Sequence, residues 1–303
     1  MKHIVVHEVG PRDGLQMERQ VVPTDTKEDW IRRTMESGVD IVQVGSFVHP
    51  VKVPQMADTD ELVKRLVADK RSEVTLAGLA LNERGVERGM ECGVEMFCLG
   101  ASASETHSLK NTRMPSMDAT RRIIGAGQEV LQAGKKVQVS VQSAFGCGFE
   151  GPIAEERVLE MASAYVEAGL YNISLADTAG HAHPAQVERL FSAVLALDPQ
   201  VECTSHFHNT YGLGMANIMA ALRVGVTSFE TSFAGLGGCP FTKVAAGNVA
   251  TEDFVNALQL QGLREDIDVD RLISVAGDVA GFFAREMPGC VYKTGALRSK
   301  EAA

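Results

Sequence analysis

Short apolar runs alternate with longer stretches whose apolar residues recur at helical spacing, and the alternation holds along nearly the whole chain. The first run, residues 4–9, closes on the turn cluster Gly10-Pro-Arg-Asp-Gly14. Over residues 25–37, Trp30, Ile31, Thr34 and Met35 fall on one helical face, and Gly38 stops the pattern. A second strand follows at 41–48, and the unit then repeats. The pattern predicts further strands over 74–81, 94–102, 136–144, 172–177, 202–209 and 228–236. It predicts further helices over 59–68, 83–91, 116–132, 154–167, 184–197, 212–223 and 248–260. Gly38, Gly93, Gly134, Gly169 and Gly225 each stand between a helix and the next strand, where a C-terminal cap belongs.

Eight strand–helix units in succession predict a closed parallel (β/α)8 barrel, a TIM barrel, within a single α/β domain. An open doubly wound sheet is the alternative, but no G-x-G-x-x-G follows the first strand, which weakens its dinucleotide-binding form. The barrel is expected over about 3–262, followed by an extension over 263–303 with one extra helix at 270–286.

Composition narrows the function classes. The 303 residues are 45% hydrophobic and 22% charged, an ordinary soluble balance. A formal net charge of −10 argues against a nucleic-acid partner, which needs a basic face. It leaves room for a small anionic substrate held by a local Arg or metal. No apolar stretch reaches the roughly 18–20 residues of a membrane span, so no membrane association is expected. The N-terminus runs directly into a strand with no signal peptide or presequence. Six cysteines without C-x-x-C spacing predict free thiols and a cytoplasmic protein.

Barrels of this kind carry their chemistry at the C-terminal ends of the strands. Arg12 and Asp13 follow strand 1, and Gln43 and Ser46 lie on strand 2. Ser140, Gln142 and Ser143 lie on strand 5, and Asp177 ends strand 6. In Thr204-Ser-His-Phe-His-Asn209, residues two apart on a strand share a face, so His206 and His208 project together as half of a metal site. With Asp13 they form an oxygen/nitrogen donor set suited to Mg2+ or Mn2+ and tolerant of Zn2+ or Co2+. Asn248 offers an amide oxygen, although it reads equally as the N-cap of the next helix. Asp177-Thr178 likewise reads as a helix cap. Cys239, in Gly235-Leu-Gly-Gly-Cys-Pro-Phe241, stands on a glycine-rich loop of the kind that closes over a ligand and fits a reactive thiol. Cys92, Cys98 and Cys203 read as small core residues.

Several of these segments together resemble the 3-hydroxy-3-methylglutaryl-CoA lyase family, part of the metal-dependent barrel group that includes homocitrate and isopropylmalate synthases. They are Val9-Gly-Pro-Arg-Asp-Gly-Leu-Gln16, Ser46-Phe-Val-His-Pro50 with Val53-Pro-Gln-Met56, Ser205-His-Phe-His-Asn209, and Ala234-Gly-Leu-Gly-Gly-Cys-Pro240 with Gly247-Asn-Val-Ala-Thr-Glu-Asp253. By this resemblance Asp13, His206, His208 and Asn248 match the metal ligands. Arg12 matches the residue that stabilises the enolate oxygen, Asp177 an active-site acid and Cys239 the loop cysteine. Gln16, Gln43 and Ser140 fall to the substrate pocket. The implied reaction is cleavage of an acyl-CoA, 3-hydroxy-3-methylglutaryl-CoA, to acetoacetate and acetyl-CoA, with a homo-oligomer, a dimer, expected.

Four positions depart from the family. Gln43 replaces a Glu, Ser140 a Tyr, and Val51-Lys52 a common Lys-Trp pair. Gln can neither act as a base nor carry charge to the metal, and Ser leaves a larger pocket. These changes favour a different 3-hydroxyacyl-CoA, such as citramalyl-CoA, as the alternative substrate. A Claisen-type synthase and a non-catalytic binding protein are more distant readings.

Overall fold

Five of the helix–strand connections turn on a glycine, and the eight strands that they help to space close on themselves. The computed structural model describes residues 3–70, 73–238 and 247–298. The strands are β1 Val5–Glu8, β2 Ile41–Ser46, β3 Thr75–Leu79, β4 Met96–Ser102, β5 Lys136–Gln142, β6 Asn172–Asp177, β7 Glu202–Phe207 and β8 Ser228–Thr231. They pair in parallel and in sequence order, and β8 closes onto β1, giving an α/β TIM barrel. The helices of the units are α1 Thr24–Glu36, α2 Thr59–Ala68, α3 Glu83–Cys92, α4 Glu105–Thr112, α5 Ser116–Gln132, α6 Glu155–Glu167, α7 Pro184–Leu195, α8 Gly214–Arg223 and α9 Thr251–Gln259. Two more, α10 Val269–Phe283 and α11 Val291–Thr294, follow the last unit. No helix among the described residues is long and apolar enough to cross a membrane.

The apolar stripe of α1 is buried as its spacing implies, with Trp30, Ile31, Thr34 and Met35 all facing inward. β4 is buried at every position, because helices cover one face and the barrel interior the other. All five predicted cap glycines have φ between +73° and +98°, the left-handed conformation that closes a helix at its last turn.

Besides the second extra helix α11, the structure departs from the pattern at α4, at the end of β8 and at the start of α9. The helix α4 has no predicted counterpart: it is short and mostly polar, but the Ser104 side chain caps it by accepting from the His107 N–H at 3.1 Å. The last strand stops at Thr231 instead of residue 236, and Phe233–Gly235 forms a tight turn with Ala234 at φ +57°. Two buried carboxylates explain this. Glu8 accepts from the Phe233 N–H at 2.9 Å and Glu252 from the Ala234 N–H at 3.1 Å, so these amides leave the strand ladder. The last helix of the units begins at Thr251 after Ala250, so Asn248 is not its cap. The extra helix α10 backs this region, with Trp30 set edge-on against both Phe233 and Phe282 at centroid distances of 6.0 and 5.6 Å.

Candidate metal and substrate site

The first turn after β1 brings Arg12 and Asp13 to the barrel mouth. The N–H groups of Arg12, Asp13 and Gly14 all donate to the Val9 carbonyl, at 3.1, 2.7 and 3.3 Å, which curls the chain back over the strand end. Gly10 permits the curl, because a Cβ there would sit 2.6 Å from Glu8 Oε1 and 2.8 Å from the Phe233 ring.

Opposite this turn, His206 lies in β7 and His208 just beyond it, where it bridges to Asn248. Their Nε2 atoms are 3.1 Å apart. Asp13 Oδ2 lies 3.8 Å from His206 Nε2 and 3.6 Å from His208 Nε2. One ligand atom from each residue thus falls within 4.8 Å of the others, the size of a single cation's coordination shell. Asn248 Nδ2 donates to Asp13 Oδ2 at 2.8 Å, and its Oδ1 is buried with no hydrogen-bond partner. An unpartnered carbonyl oxygen on the edge of a donor cluster fits a fourth ligand, since a turn of the amide presents it. The residues present therefore fit a divalent metal.

Arg12 donates through Nε to Gln43 Oε1 and through Nη1 to Asp13 Oδ1, and among the described residues Nη2 has no hydrogen-bond partner. Burial alone would raise the Asp13 pKa, but Arg12 and the two imidazoles hold it well below the usual carboxylate range. A cleft of about 1000 Å³ opens above this cluster, and Arg12, Asp13, Gln16, Gln43 and Ser140 all line it. Its lining includes two exposed cations, Lys52 and Arg84, neither of which forms an ion pair among the described residues.

Asp177 takes a different place. Ala176 and Thr178 line the cleft, whereas the Asp177 oxygens accept from the backbone N–H groups of His181 and Ala182 at 2.8 and 3.0 Å. Burial lifts its pKa to about 6. Cys239 lies outside the described residues.

A layer of polar groups beneath the cluster escaped the sequence reading. Glu230 Oε2 lies 2.7 Å from His206 Nδ1, and Oε1 accepts from Gln138 Nε2. Burial opposes ionisation of Glu230, but His206 outweighs it and lowers the pKa to about 2. His7 lies 3.6 Å from the same carboxylate, and burial pushes its own pKa down to about 4. The available signal was an acid inside an apolar strand, Phe229-Glu230-Thr231, since an unpaired buried carboxylate is costly.

Glu8 gives a pH prediction. Burial outweighs the hydrogen bonds it accepts from Thr251, Gly10 and Phe233 and raises its pKa from 4.5 to about 7. A carboxyl raised in the folded state binds its proton more tightly there than in the unfolded chain. Its contribution is full below its unfolded pKa and is lost as pH rises through the folded value. Glu8→Gln is expected to gain on the wild type by about 1–3 kcal/mol between pH 5 and pH 8. Parallel chemical denaturation across that range checks it, and a difference that stays flat rejects the assignment.

Comparison with known proteins places this architecture. The HMGL-like family model matches residues 3–279. The hydroxymethylglutaryl-CoA lyase YngG of Bacillus subtilis is 35% identical over 287 residues, covering 95% of both chains. The (R)-citramalyl-CoA lyase of Chloroflexus aurantiacus is 34% identical over 303 residues, covering 97% of this chain and 96% of its own. An HMG-CoA lyase structure from Acinetobacter baumannii, in complex with coenzyme A and 3-methylmalate, superposes with a TM-score of 0.91 at 37% identity, covering 99% of this chain and 98% of its own.

Proposed function

The chain belongs to the HMGL-like family of carbon–carbon lyases, and from that premise we propose that it cleaves 3-hydroxy-3-methylglutaryl-CoA to acetoacetate and acetyl-CoA with a divalent metal. The observation that carries this reading is the meeting of Asp13, His206 and His208 at one point of the cleft, with Arg12 alongside.

Asp13, His206, His208 and Asn248 would hold the metal, Mg2+ or Mn2+ by the hardness of the donors, with Zn2+ or Co2+ tolerated. When bound, such a cation lowers the pKa of a hydroxyl and orients the substrate. The chain's own residues do the rest. The tertiary hydroxyl gives up its proton to the Asp13 carboxylate, which keeps lone pairs beyond the one it would give the metal, whereas His206 takes part through the metal alone. The bond between the α and β carbons breaks, and its electron pair passes to the thioester as an enolate. Arg12 stays cationic and stabilises that oxygen through Nη2 while Gln43 and Asp13 hold the guanidinium in place. Cys239, the residue after the cleft-lining Gly238, would protonate the enolate carbon. Asp177 supports the site by fixing the loop at His181 and Ala182. Lys52 and Arg84 offer cationic partners to the phosphates of the coenzyme A portion.

Ser140 and Gln43 in the cleft favour a second reading, in which the acyl group is citramalyl or a bulkier 3-hydroxyacyl. Purified protein with Mg2+ or Mn2+ and a panel of 3-hydroxyacyl-CoA thioesters, scored for acetyl-CoA release, decides between them. The first reading expects the highest kcat/KM with the methylglutaryl thioester and loss of activity in EDTA. No release from any thioester would sink both. A cytoplasmic location, a homodimeric state and a part in leucine breakdown belong to the same proposal. Cys92, Cys98, Cys147, Cys203 and Cys290 are free thiols, which suits a reducing compartment.

A further inference from the structure

Glu230 sits in β8 directly beside His206 in the β7–β8 register, so both side chains enter the barrel at the same level. Only 5% exposed, it spends both carboxylate oxygens on neighbours, Oε2 at 2.7 Å from His206 Nδ1 and Oε1 on Gln138 Nε2. Gln138 is anchored in turn, its Oε1 accepting from Thr204 Oγ1 at 3.3 Å. An ionised carboxylate only accepts hydrogen bonds, so His206 Nδ1 must carry a proton and Nε2 is left as the lone-pair nitrogen. That Nε2 is the atom 3.1 Å from His208 Nε2 and 3.8 Å from Asp13 Oδ2. His208 is held differently, with no partner on its Nδ1 among the described residues.

We propose that Glu230 is a positioning residue of the metal site, fixing the tautomer and ring plane of His206 so that Nε2 is presented to the cation. This rests on the metal reading of the preceding subsection and adds the group that tunes it. Carboxylates that orient a metal-bound imidazole in this way are worth about 10–100-fold in metal affinity.

The test is Mn2+ binding to the intact protein by calorimetry, alongside the thermal unfolding of each metal-free variant. Glu230→Gln keeps size and shape. Gln138, anchored by Thr204, still donates to its carbonyl oxygen, which leaves its amide nitrogen facing His206 Nδ1 as a donor where an acceptor stood. The expected result is a Mn2+ Kd raised about 10–100-fold with an unfolding midpoint close to that of the wild type. Glu230→Asp keeps the charge but draws the acceptor back, and should fall between the two. If Glu230→Gln does not fold, Glu230→Asp decides, with a Kd raised threefold or more supporting the role. Wild-type protein that binds Mn2+ while the folded variants bind it equally well would overturn the role and leave the metal reading standing. Wild-type protein that does not bind Mn2+ at all would overturn the metal reading and this one with it.

Discussion

Arg12→Met is expected to lower kcat by about a thousandfold or more while leaving Mn2+ affinity undiminished. Met is unbranched and fills much the same channel, so the loss is one of charge and donors. Arg12 is fixed at two nitrogens, by Gln43 and by Asp13, and neither bond requires the substrate. The guanidinium is thus already in place before negative charge develops on the thioester oxygen. A donor held in position for a developing oxyanion is worth about 10²–10³ in rate, and the full positive charge adds to it. Metal binding should not suffer, because removing Arg12 takes a competing cation away from Asp13. Single-turnover rates with saturating substrate, together with a Mn2+ titration, separate the two effects. A variant that turns over at a rate near the wild type's would remove Arg12 from the chemistry.

The second large effect is expected at Asp13. Asp13→Ala should raise the Mn2+ Kd by well over a hundredfold and bring acetyl-CoA release below detection, a loss of at least about 3 kcal/mol in binding. Asp13 supplies the one carboxylate in the Asp13–His206–His208 set, and the rest of that set is neutral imidazole when it ligates. Its removal also leaves Asn248 Nδ2 without its Asp13 acceptor and puts the Arg12 charge beside the cation site unopposed. Repulsion then adds to the missing ligand. Near-wild-type Mn2+ binding by a folded Asp13→Ala protein would show that the three residues meet for another reason.

Local interactions set much of this architecture, and those parts could be read along the chain. The Trp30–Met35 stripe and the left-handed glycines from Gly38 to Gly225 act over one or two turns of backbone. Repetition of that unit then made a closed barrel the natural expectation, and a barrel puts its polar strand ends on one rim. Two readings failed where a distant group captured a backbone amide or a side chain. The stretch after Thr231 has the composition of a continuing strand, but Glu8 and Glu252 draw off its amides. Asn248 has the residue type of a cap, but its side chain turns to Asp13 and Leu236 instead.

By itself the sequence determined the order of the eight strands and of most helices, and placed Arg12, Asp13, Gln43, Ser140, His206 and His208 among residues that share one cleft. These follow from periodicity, turn chemistry and the convergence that a barrel imposes. Only the tertiary structure decided that Asp177 serves a loop instead of facing the cleft, and that Glu230 and Gln138 stand under His206. The Glu230 contacts join strands 24 to 92 residues apart. Which buried polar group finds which partner is settled by three-dimensional packing around an unpaired charge, and no spacing along the chain encodes it.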